Sequence, residues 1–478
     1  MKWMIDIKPH RTIMLVAILA WVMQVAGQEE IYKLPFDNVK ECTLMPDMQH
    51  ALIITRTPLL KPEYAIVRDL KQGKNLWKIN IGDRNLQTTV TCEGVIISGE
   101  LTPKKPTVNL YETQSGKKRY QLQIIPVYIS EKDNVVMGYK KKTSKQLECY
   151  QLSTGELMWK ADAAPNKYGI WNDHIRISPH RVVAIADDLL LIDTDKGLLN
   201  HTPLKTDISY MSFNAKFGVH VSVRLGVGLG LSLGVSGGIQ PGPIPLGSQL
   251  GNINSNLLNI DDAVYVSDRD HLFCFDTELQ ERWRHDFPAR TACHADIRMV
   301  NDTLVMLNEG YGEYEDGRST LKGMLVSAGK MFYATYDSQT GTECSFNPIK
   351  GDWDEEQFGP QLMLETENVY MADAAQSCLE MVYRPARSLA VYDTKGQLVV
   401  VDNNDVTIAT IPQDDLYHLV ASTSNRLVFA NTRRENNVWI TDLDRHVTYH
   451  MDVNYINLSL MDDKLIVITT KEVRIIEI

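Results

Sequence analysis

Residues 147–161 read LECYQLSTGELMWKA, and this stretch decides the fold. Apolar and polar residues alternate as far as Gln151, which is the period of a half-buried β-strand. A polar turn follows and ends at Gly155, where a hairpin needs a residue that accepts a positive φ. A second strand then carries Trp159. The stretch therefore predicts a β-hairpin.

The same strand, turn and strand recur along nearly the whole chain. Further copies stand at 64–79, 109–124, 189–204, 271–287, 331–346, 388–401 and 437–451. In most copies a glycine holds the turn, at Gly73, Gly116, Gly155, Gly197, Gly341 and Gly396. The first four glycines follow at intervals of roughly 40 residues, the length of a four-stranded propeller blade. A second pair of short apolar segments precedes most copies, so each unit predicts four strands.

The predicted fold is an all-β propeller of four-stranded antiparallel blades. Eight copies favour eight blades, and seven stays open because the copy at 388–401 is irregular. The C-terminal strands at 456–478 lack a fourth member, which the segment EEIYKLPF at 29–36 is expected to supply. Pairing the two ends of the chain would close the ring and remove open sheet edges.

The order of residues in each copy resembles the PQQ-like (pyrroloquinoline-quinone-type) β-propeller repeat. In that order, apolar residues are followed by Asp, a short polar run, Gly and then Trp. It covers nearly all of residues 30–478, with Trp77, Trp159 and Trp283 at the tryptophan position and Tyr120 in the matching place. Quinone-dependent enzymes of this fold resemble one another in an adjacent-cysteine pair, which is missing here. The resemblance is to the non-catalytic, outer-membrane-assembly-like branch. It implies a binding platform with no cofactor, catalytic residue or metal ligand.

The N-terminus predicts an export signal. Lys2, Lys8 and Arg11 precede an apolar run, and small residues end at Gly27, as a signal peptidase requires. We expect residues 1–27 to be removed and residues 28–478 to form one propeller domain in the periplasm, at the cell surface or outside the cell. An uncleaved membrane anchor is the alternative, although the run is short for a bilayer span.

Charge and cysteine spacing exclude two classes of partner. The net charge is −11, which disfavours binding to a phosphate backbone, so we expect no nucleic-acid partner. None of the seven cysteines stands in a CxxC or comparable spacing, which argues against a zinc site. Cysteines in apolar strands, such as Cys149 and Cys274, are expected to be buried free thiols.

The segment VHVSVRLGVGLGLSLGV at 219–235 is the strongest candidate for an interaction surface. It shows strict period-two alternation and lies in an insertion at about 205–250. The candidate residues are its branched apolar positions Val219, Val221, Val223, Leu225, Val227, Leu229, Leu231, Leu233 and Val235. The segment either packs on its own propeller as a long hairpin or contacts a membrane, a lipidic ligand or a partner protein.

A second, weaker candidate is the loop NEGYGEYEDGRS, which mixes carboxylates with tyrosines. Its candidate ligand residues are Glu309, Tyr311, Glu313, Tyr314, Glu315 and Asp316. Such loops hold calcium or stack on sugar rings, but a solvated connection between strands is the simpler interpretation.

The predicted function is an exported, non-catalytic binding or scaffold module for a protein or envelope partner. The alternative is an enzyme with its site at the mouth of the channel, either a quinone-dependent oxidoreductase or a polysaccharide-active enzyme. Residues converging in the channel would favour the enzyme.

Overall fold

A computed structural model gives the fold of the chain. It describes residues 29–36, 38–55, 63–82, 86–102, 105–166, 169–205, 221–224, 232–235, 254–287, 294–300, 302–310, 312–314, 325–327, 332–348, 361–364, 369–373, 378–383, 389–393, 397–401, 407–412, 417–422, 426–431, 437–442, 445, 447–452, 455–461, 464–469 and 471–477. The regular elements among them are all β-strands. No helix in this part of the chain is long and apolar enough to cross a membrane.

The strands form eight four-stranded antiparallel sheets, which agrees with the expected eight blades. Strand β1 (Glu29–Pro35) comes first in the chain and belongs to the last blade. Blade 1 consists of β2 (Val39–Leu44), β3 (His50–Thr55), β4 (Glu63–Asp69) and β5 (Lys74–Gly82). Blade 2 consists of β6 (Gln87–Thr91), β7 (Gly94–Thr102), β8 (Lys105–Tyr111) and β9 (Lys118–Leu122).

The next two blades follow without interruption. Blade 3 consists of β10 (Ile125–Ser130), β11 (Val135–Tyr139), β12 (Gln146–Gln151) and β13 (Leu157–Asp162). Blade 4 consists of β14 (Asp173–Ser178), β15 (Arg181–Ile185), β16 (Asp188–Asp193) and β17 (Gly197–Pro203). Two short strands that belong to no blade come next, β18 (Val221–Arg224) and β19 (Ser232–Val235).

The following two blades include a second hairpin that belongs to neither. Blade 5 consists of β20 (Leu258–Ile260), β21 (Ala263–Ser267), β22 (His271–Asp276) and β23 (Glu281–Asp286). Blade 6 consists of β24 (His294–Val300), β25 (Thr303–Gly310), β28 (Phe332–Asp337) and β29 (Glu343–Pro348). The extra hairpin lies between β25 and β28 in the sequence and consists of β26 (Gly312–Tyr314) and β27 (Leu325–Ser327).

Two three-stranded sheets stand between blades 6 and 7. They are β30 (Gln361–Leu364), β31 (Val369–Asp373) and β32 (Cys378–Tyr383), then β33 (Leu389–Asp393), β34 (Gln397–Val401) and β35 (Thr407–Pro412). Strand β30 contacts β24 and β25 of blade 6. The irregular copy at 388–401 is therefore part of a three-stranded sheet, whereas the other seven copies supply the third and fourth strands of blades.

The last two blades complete the ring. Blade 7 consists of β36 (Tyr417–Ser422), β37 (Arg426–Asn431), β38 (Asn437–Asp442) and β39 (Val447–Asp452). Blade 8 consists of β40 (Asn457–Met461), β41 (Lys464–Ile468), β42 (Glu472–Glu477) and β1. Strand β1 pairs antiparallel with β42, with Tyr32 opposite Ile475 and Leu34 opposite Val473. The predicted closure by the two ends of the chain is confirmed.

The core lies between blades. Val135 and Met137 of β11 pack in a cluster shared with blade 4, whereas Val136 between them packs in a cluster shared with blade 2. Successive side chains of a strand point to opposite faces, so a strand that is apolar throughout covers both flanks of its blade. Seven such clusters each join two adjacent blades. Each blade is stabilised by its neighbours.

An aromatic side chain docks each of several blades onto the next. Trp77 in the fourth strand of blade 1 lies over Gly116 in a turn of blade 2, and its indole Nε1 donates to the Thr113 carbonyl at 2.6 Å. A Cβ on Gly116 would lie 2.6 Å from Trp77 Cγ. The φ of Gly116 is +65°, so this turn needs glycine for its backbone and for the ring above it.

The same arrangement recurs around the ring. Tyr120 donates to the Leu152 carbonyl at 2.7 Å beside Gly155, and Trp159 donates to the Thr194 carbonyl at 2.7 Å beside Gly197. Trp283 of blade 5 donates to the Ser338 carbonyl at 3.0 Å and lies over Gly341 of blade 6. The rings at the repeated position thus pack between neighbouring sheets. The turn glycines have the predicted positive φ, apart from Gly396, which lies outside the described residues.

The seam between blades 4 and 5 is built differently. Asn200 occupies the ring position of blade 4, opposite Leu191 as Trp159 is opposite Cys149, and Leu279 occupies the glycine position of blade 5 with a φ of +58°. Leu279 is 3% exposed and packs in the cluster shared by the two blades. Asn200 donates from Nδ2 to the Glu278 carbonyl at 2.8 Å. A buried leucine and a polar contact thus replace the docked ring.

Candidate interaction face

Strand direction sorts the connections of the propeller onto two faces. Strands alternate in direction within a four-stranded antiparallel blade. The turns between first and second and between third and fourth strands therefore emerge on one side, named here the turn face. The connections between second and third strands, and those between consecutive blades, emerge on the other side, the loop face.

The two faces differ in the length of their connections. On the turn face the chain turns within residues 92–93, 179–180 and 261–262, and no connection between the strands of blades 1 to 6 is longer than 112–117. On the loop face the chain runs through 204–257 between blades 4 and 5 and through 311–331 within blade 6. Binding segments are typically loops held by a rigid scaffold, so the loop face is the candidate site.

Within the segment singled out at 219–235, residues 221–224 and 232–235 pair as a hairpin in a connection of the loop face. Val221 is registered with Val235, and Val223 with Leu233, in a two-stranded antiparallel sheet that belongs to no blade. Directly opposed residues lie on the same face of a ladder, so these four positions share one face. Val219, Leu225, Val227, Leu229 and Leu231 lie outside the described residues.

The weaker candidate loop lies on the same face but is partly strand. Glu309 is the penultimate residue of β25, and Glu313 and Tyr314 lie in β26, which pairs with β27 through Glu313 opposite Val326. A ladder satisfies backbone groups that a long irregular connection would leave to solvent. Tyr311, Glu315 and Asp316 lie outside the described residues. Strand direction therefore brings both candidate segments to one side of the ring.

The outgoing end of the insertion is fastened to blade 5. The backbone N–H of Lys205 donates to Asp268 Oδ2 at 2.8 Å, and its Nζ donates to Asp270 Oδ2 at 3.1 Å. The backbone N–H of Arg269 donates in return to the Lys205 carbonyl at 3.2 Å. The turn between β21 and β22 thus holds the chain where the insertion begins.

The returning end is fastened beside it. The N–H of Ser255 donates to the Ser267 carbonyl at 2.9 Å, and the N–H of Ser267 donates to Ser255 Oγ at 2.7 Å. Asn256 exchanges two hydrogen bonds with the backbone of Ile297 in blade 6, at 3.0 and 2.7 Å. Because Ser267 precedes Asp268, the two ends of the insertion are neighbours on a rigid base.

Asparagines extend this base toward blade 3. Asn172 donates to Asn254 Oδ1 at 2.9 Å and accepts from Asn166 Nδ2 at 2.7 Å. Asn166 lies in the connection 163–172, which contacts the turn between β11 and β12, because a Cβ on Gly169 would lie 2.4 Å from Lys142 Cα. The loop face of blades 3 to 5 is therefore one connected surface.

The turn at 140–145 is basic and exposed. It carries Lys140, Lys141, Lys142 and Lys145. Beneath it the carboxylate of Glu148 is buried and lies 3.3 Å from Lys140 Nζ and 2.7 Å from Lys160 Nζ. Burial opposes ionisation of Glu148, but hydrogen bonds from Lys160 and Tyr150 and the charge of Lys140 hold its pKa below the ordinary value.

In the described connections, acidic residues predominate on the turn face and basic residues on the loop face, a difference that the overall net charge does not reveal. Described turn-face connections contain eleven acidic residues, Asp47, Glu93, Glu112, Glu131, Asp133, Glu156, Asp195, Asp261, Asp262, Glu278 and Asp302. Their five basic residues are Lys71, Lys117, Lys132, Lys196 and Arg445. Described loop-face connections contain eight basic residues, Lys140, Lys141, Lys142, Lys145, Lys205, Arg224, Arg269 and Lys471, and four acidic ones, Asp187, Asp268, Asp270 and Glu313.

Titratable groups on the first strands of two blades have shifted pKa values. On β14 the carboxylate of Asp173 accepts the Leu257 N–H at 2.7 Å; burial raises its pKa. The ring of His174 meets Tyr128 edge-on at 5.2 Å, and burial lowers its pKa. Burial also raises the pKa of Glu41, on blade 1. Within the described part of the chain, no three His, Cys, Asp or Glu residues are grouped to hold a metal.

Several solved structures are similar to the chain at low sequence identity. BamB from Moraxella catarrhalis is 11% identical over 94% of this chain and 100% of that one, with a TM-score of 0.41. The WD40 domain of SCAP from fission yeast is 10% identical over 94% and 97%, with a TM-score of 0.36. No family model and no curated protein matches the sequence. Likeness at this level carries no inference about function, and the PQQ-like label stays a resemblance of sequence pattern.

Proposed function

We propose that the chain is an exported, non-catalytic β-propeller that binds a protein partner through its loop face, with the hairpin of β18 and β19 as the contacting element. One observation carries the proposal. The hairpin pairs only with itself among the described strands, and it arises from an insertion whose two ends are hydrogen-bonded to the same edge of blade 5. A hairpin in a connection with a fixed base suits recognition, because little conformational freedom is lost at the base on binding.

Export belongs to the same proposal. A cleaved leader of residues 1–27 would deliver the ring to the periplasm or the cell surface, where an envelope protein is within reach. N-terminal sequencing of the mature protein is expected to begin at Gln28. A chain that keeps Met1 on a membrane fraction would contradict the cleavage.

The binding role is tested by removing the hairpin. Because Lys205 contacts Asp268 and Ser255 contacts Ser267, a short Gly-Ser linker can replace residues 206–253 without straining the ring. We expect the thermal midpoint to stay within about 2 °C of the parent, because a segment that serves recognition contributes little to the packing of the blades. Collapse of the fold would show instead that the segment packs on its own propeller.

The partner is captured with a photo-crosslinking residue in place of Ser222 on the hairpin. The control carries the same residue at Lys117, an exposed position on the turn face. We expect one protein to crosslink from position 222, and its non-covalent co-purification to be lost from the linker variant. Equal crosslinking from both faces, or co-purification that survives the linker, would refute the role of the hairpin.

A further inference from the structure

We propose that the loop face also docks the protein onto an anionic phospholipid bilayer, with Lys141, Lys142 and Lys145 at the contact. This inference goes beyond the protein-binding role, since it concerns a second surface, on blade 3. The three side chains are exposed. Neither Lys141 nor Lys142 has an ion pair with any residue that the structure describes, so their charge is available to a partner.

The lysine turn is held in place by its neighbours. The connection at 163–172 lies directly against Lys142, and Lys140 is drawn toward the buried carboxylate of Glu148 at 3.3 Å. The remaining lysines therefore project from a fixed platform. Lysine ammonium groups act as mobile point charges and lack the planar fork with which arginine grips one carboxylate. This chemistry suits a two-dimensional array of lipid phosphates.

The charge difference between the faces gives the docking a direction. An anionic surface attracts the loop face, where basic residues outnumber acidic ones in the described connections, and repels the turn face, where acidic residues dominate. The hairpin of β18 and β19, with branched apolar residues opposed in register, belongs to the connection between blades 4 and 5, which leaves and re-enters the ring on the loop face. Basic residues beside apolar ones are the usual composition of a surface that binds lipid headgroups. These features favour a bilayer over an acidic protein.

The experiment measures binding of the purified chain to sedimented vesicles of phosphatidylcholine alone and of phosphatidylcholine with phosphatidylglycerol. The variant K141E/K142E/K145E is compared with K71E/K117E/K196E, which makes the same charge change on the turn face. Each lysine near an anionic membrane contributes about fivefold in partitioning. We expect the loop-face variant to lose on the order of 100-fold and the turn-face variant to lose only a few-fold.

Several results would overturn the inference. Equal binding of the wild-type chain to both vesicle types would show that anionic lipid is not recognised. Equal loss of binding by the two variants would leave only net charge as the cause. Lysine-dependent binding to immobilised polyglutamate without binding to anionic vesicles would identify an acidic protein as the partner instead. If the glutamate variants unfold, the corresponding glutamine variants are compared at matched thermal midpoints. Vesicle binding by the linker variant that has lost its protein partner would separate this surface from the hairpin.

Discussion

Replacing Gly116 by alanine tests how the blades are docked. Any L-residue at a φ of +65° costs about 1–2 kcal/mol of backbone strain. The new Cβ would also lie 2.6 Å from Trp77 Cγ and 2.9 Å from Trp77 Cβ. The ring is held by its hydrogen bond to the Thr113 carbonyl, so displacing it adds an overpacking cost of about 1–3 kcal/mol. We expect a total loss of about 2–5 kcal/mol in the free energy of unfolding.

Gly73 supplies a matched control. It holds the same turn position in blade 1 with a φ of +64°, and the nearest atom to a Cβ there is Arg68 Nη2 at 3.7 Å. Gly73→Ala is therefore expected to lose only the backbone strain. Urea unfolding followed by circular dichroism gives both free energies. Gly116→Ala should cost less in a Trp77→Ala background than in the parent, because the contact with Cγ is removed and only the contact with the Cβ at 2.9 Å remains. Equal costs for the two single variants would refute the docking account.

Two further outcomes are expected. Asp133 is buried, which opposes its ionisation, but hydrogen bonds from Arg176, Ser130 and the His180 N–H lower its pKa. The carboxylate therefore stabilises the folded state above the unfolded pKa of about 4. This contribution to the free energy of unfolding is lost as the pH falls through the lowered pKa. Acid unfolding of Asp133→Asn is expected to start from a lower stability and to depend less on pH between about 4 and 2, and an unchanged pH profile would contradict this pairing. At the seam of blades 4 and 5, Leu279→Gly relieves the strain of a positive φ but removes a buried side chain. We expect calorimetry to show a net loss of about 1–3 kcal/mol in the free energy of unfolding. A gain would mean that the backbone strain outweighs the packing of this side chain.

Much of the fold could be predicted because the repeat is local. Gly116 and Gly155 marked the turns, Trp77 and Trp159 marked the docking rings, and the alternation in each hairpin marked its strands. The missing strand of the last blade was also predictable, since an open sheet edge needs a partner and one suitable strand was left over.

Other features depend on neighbours that are distant in sequence. Leu279 gave no sign that it fills the place of a glycine, because the missing ring opposite it belongs to another blade. Asn254 and Ser255 resembled loop residues, yet they hold the root of the insertion through Asn172 and Ser267. The opposite charges of the two faces were concealed because acidic and basic turns alternate along the chain and are separated only by strand direction.

The pairing of β1 with β42 sets a condition on biosynthesis. Tyr32 is paired with Ile475, which is synthesised much later, so β1 has no partner for its ladder until β42 has been made. A nascent or prematurely terminated chain exposes two unpaired edges at once, on β1 and on β41, and such edges recruit other strands. Loss of β42 (Glu472–Glu477) alone would thus yield an aggregation-prone product in place of a slightly smaller ring. A closed ring therefore forms only from chains in which β42 is present.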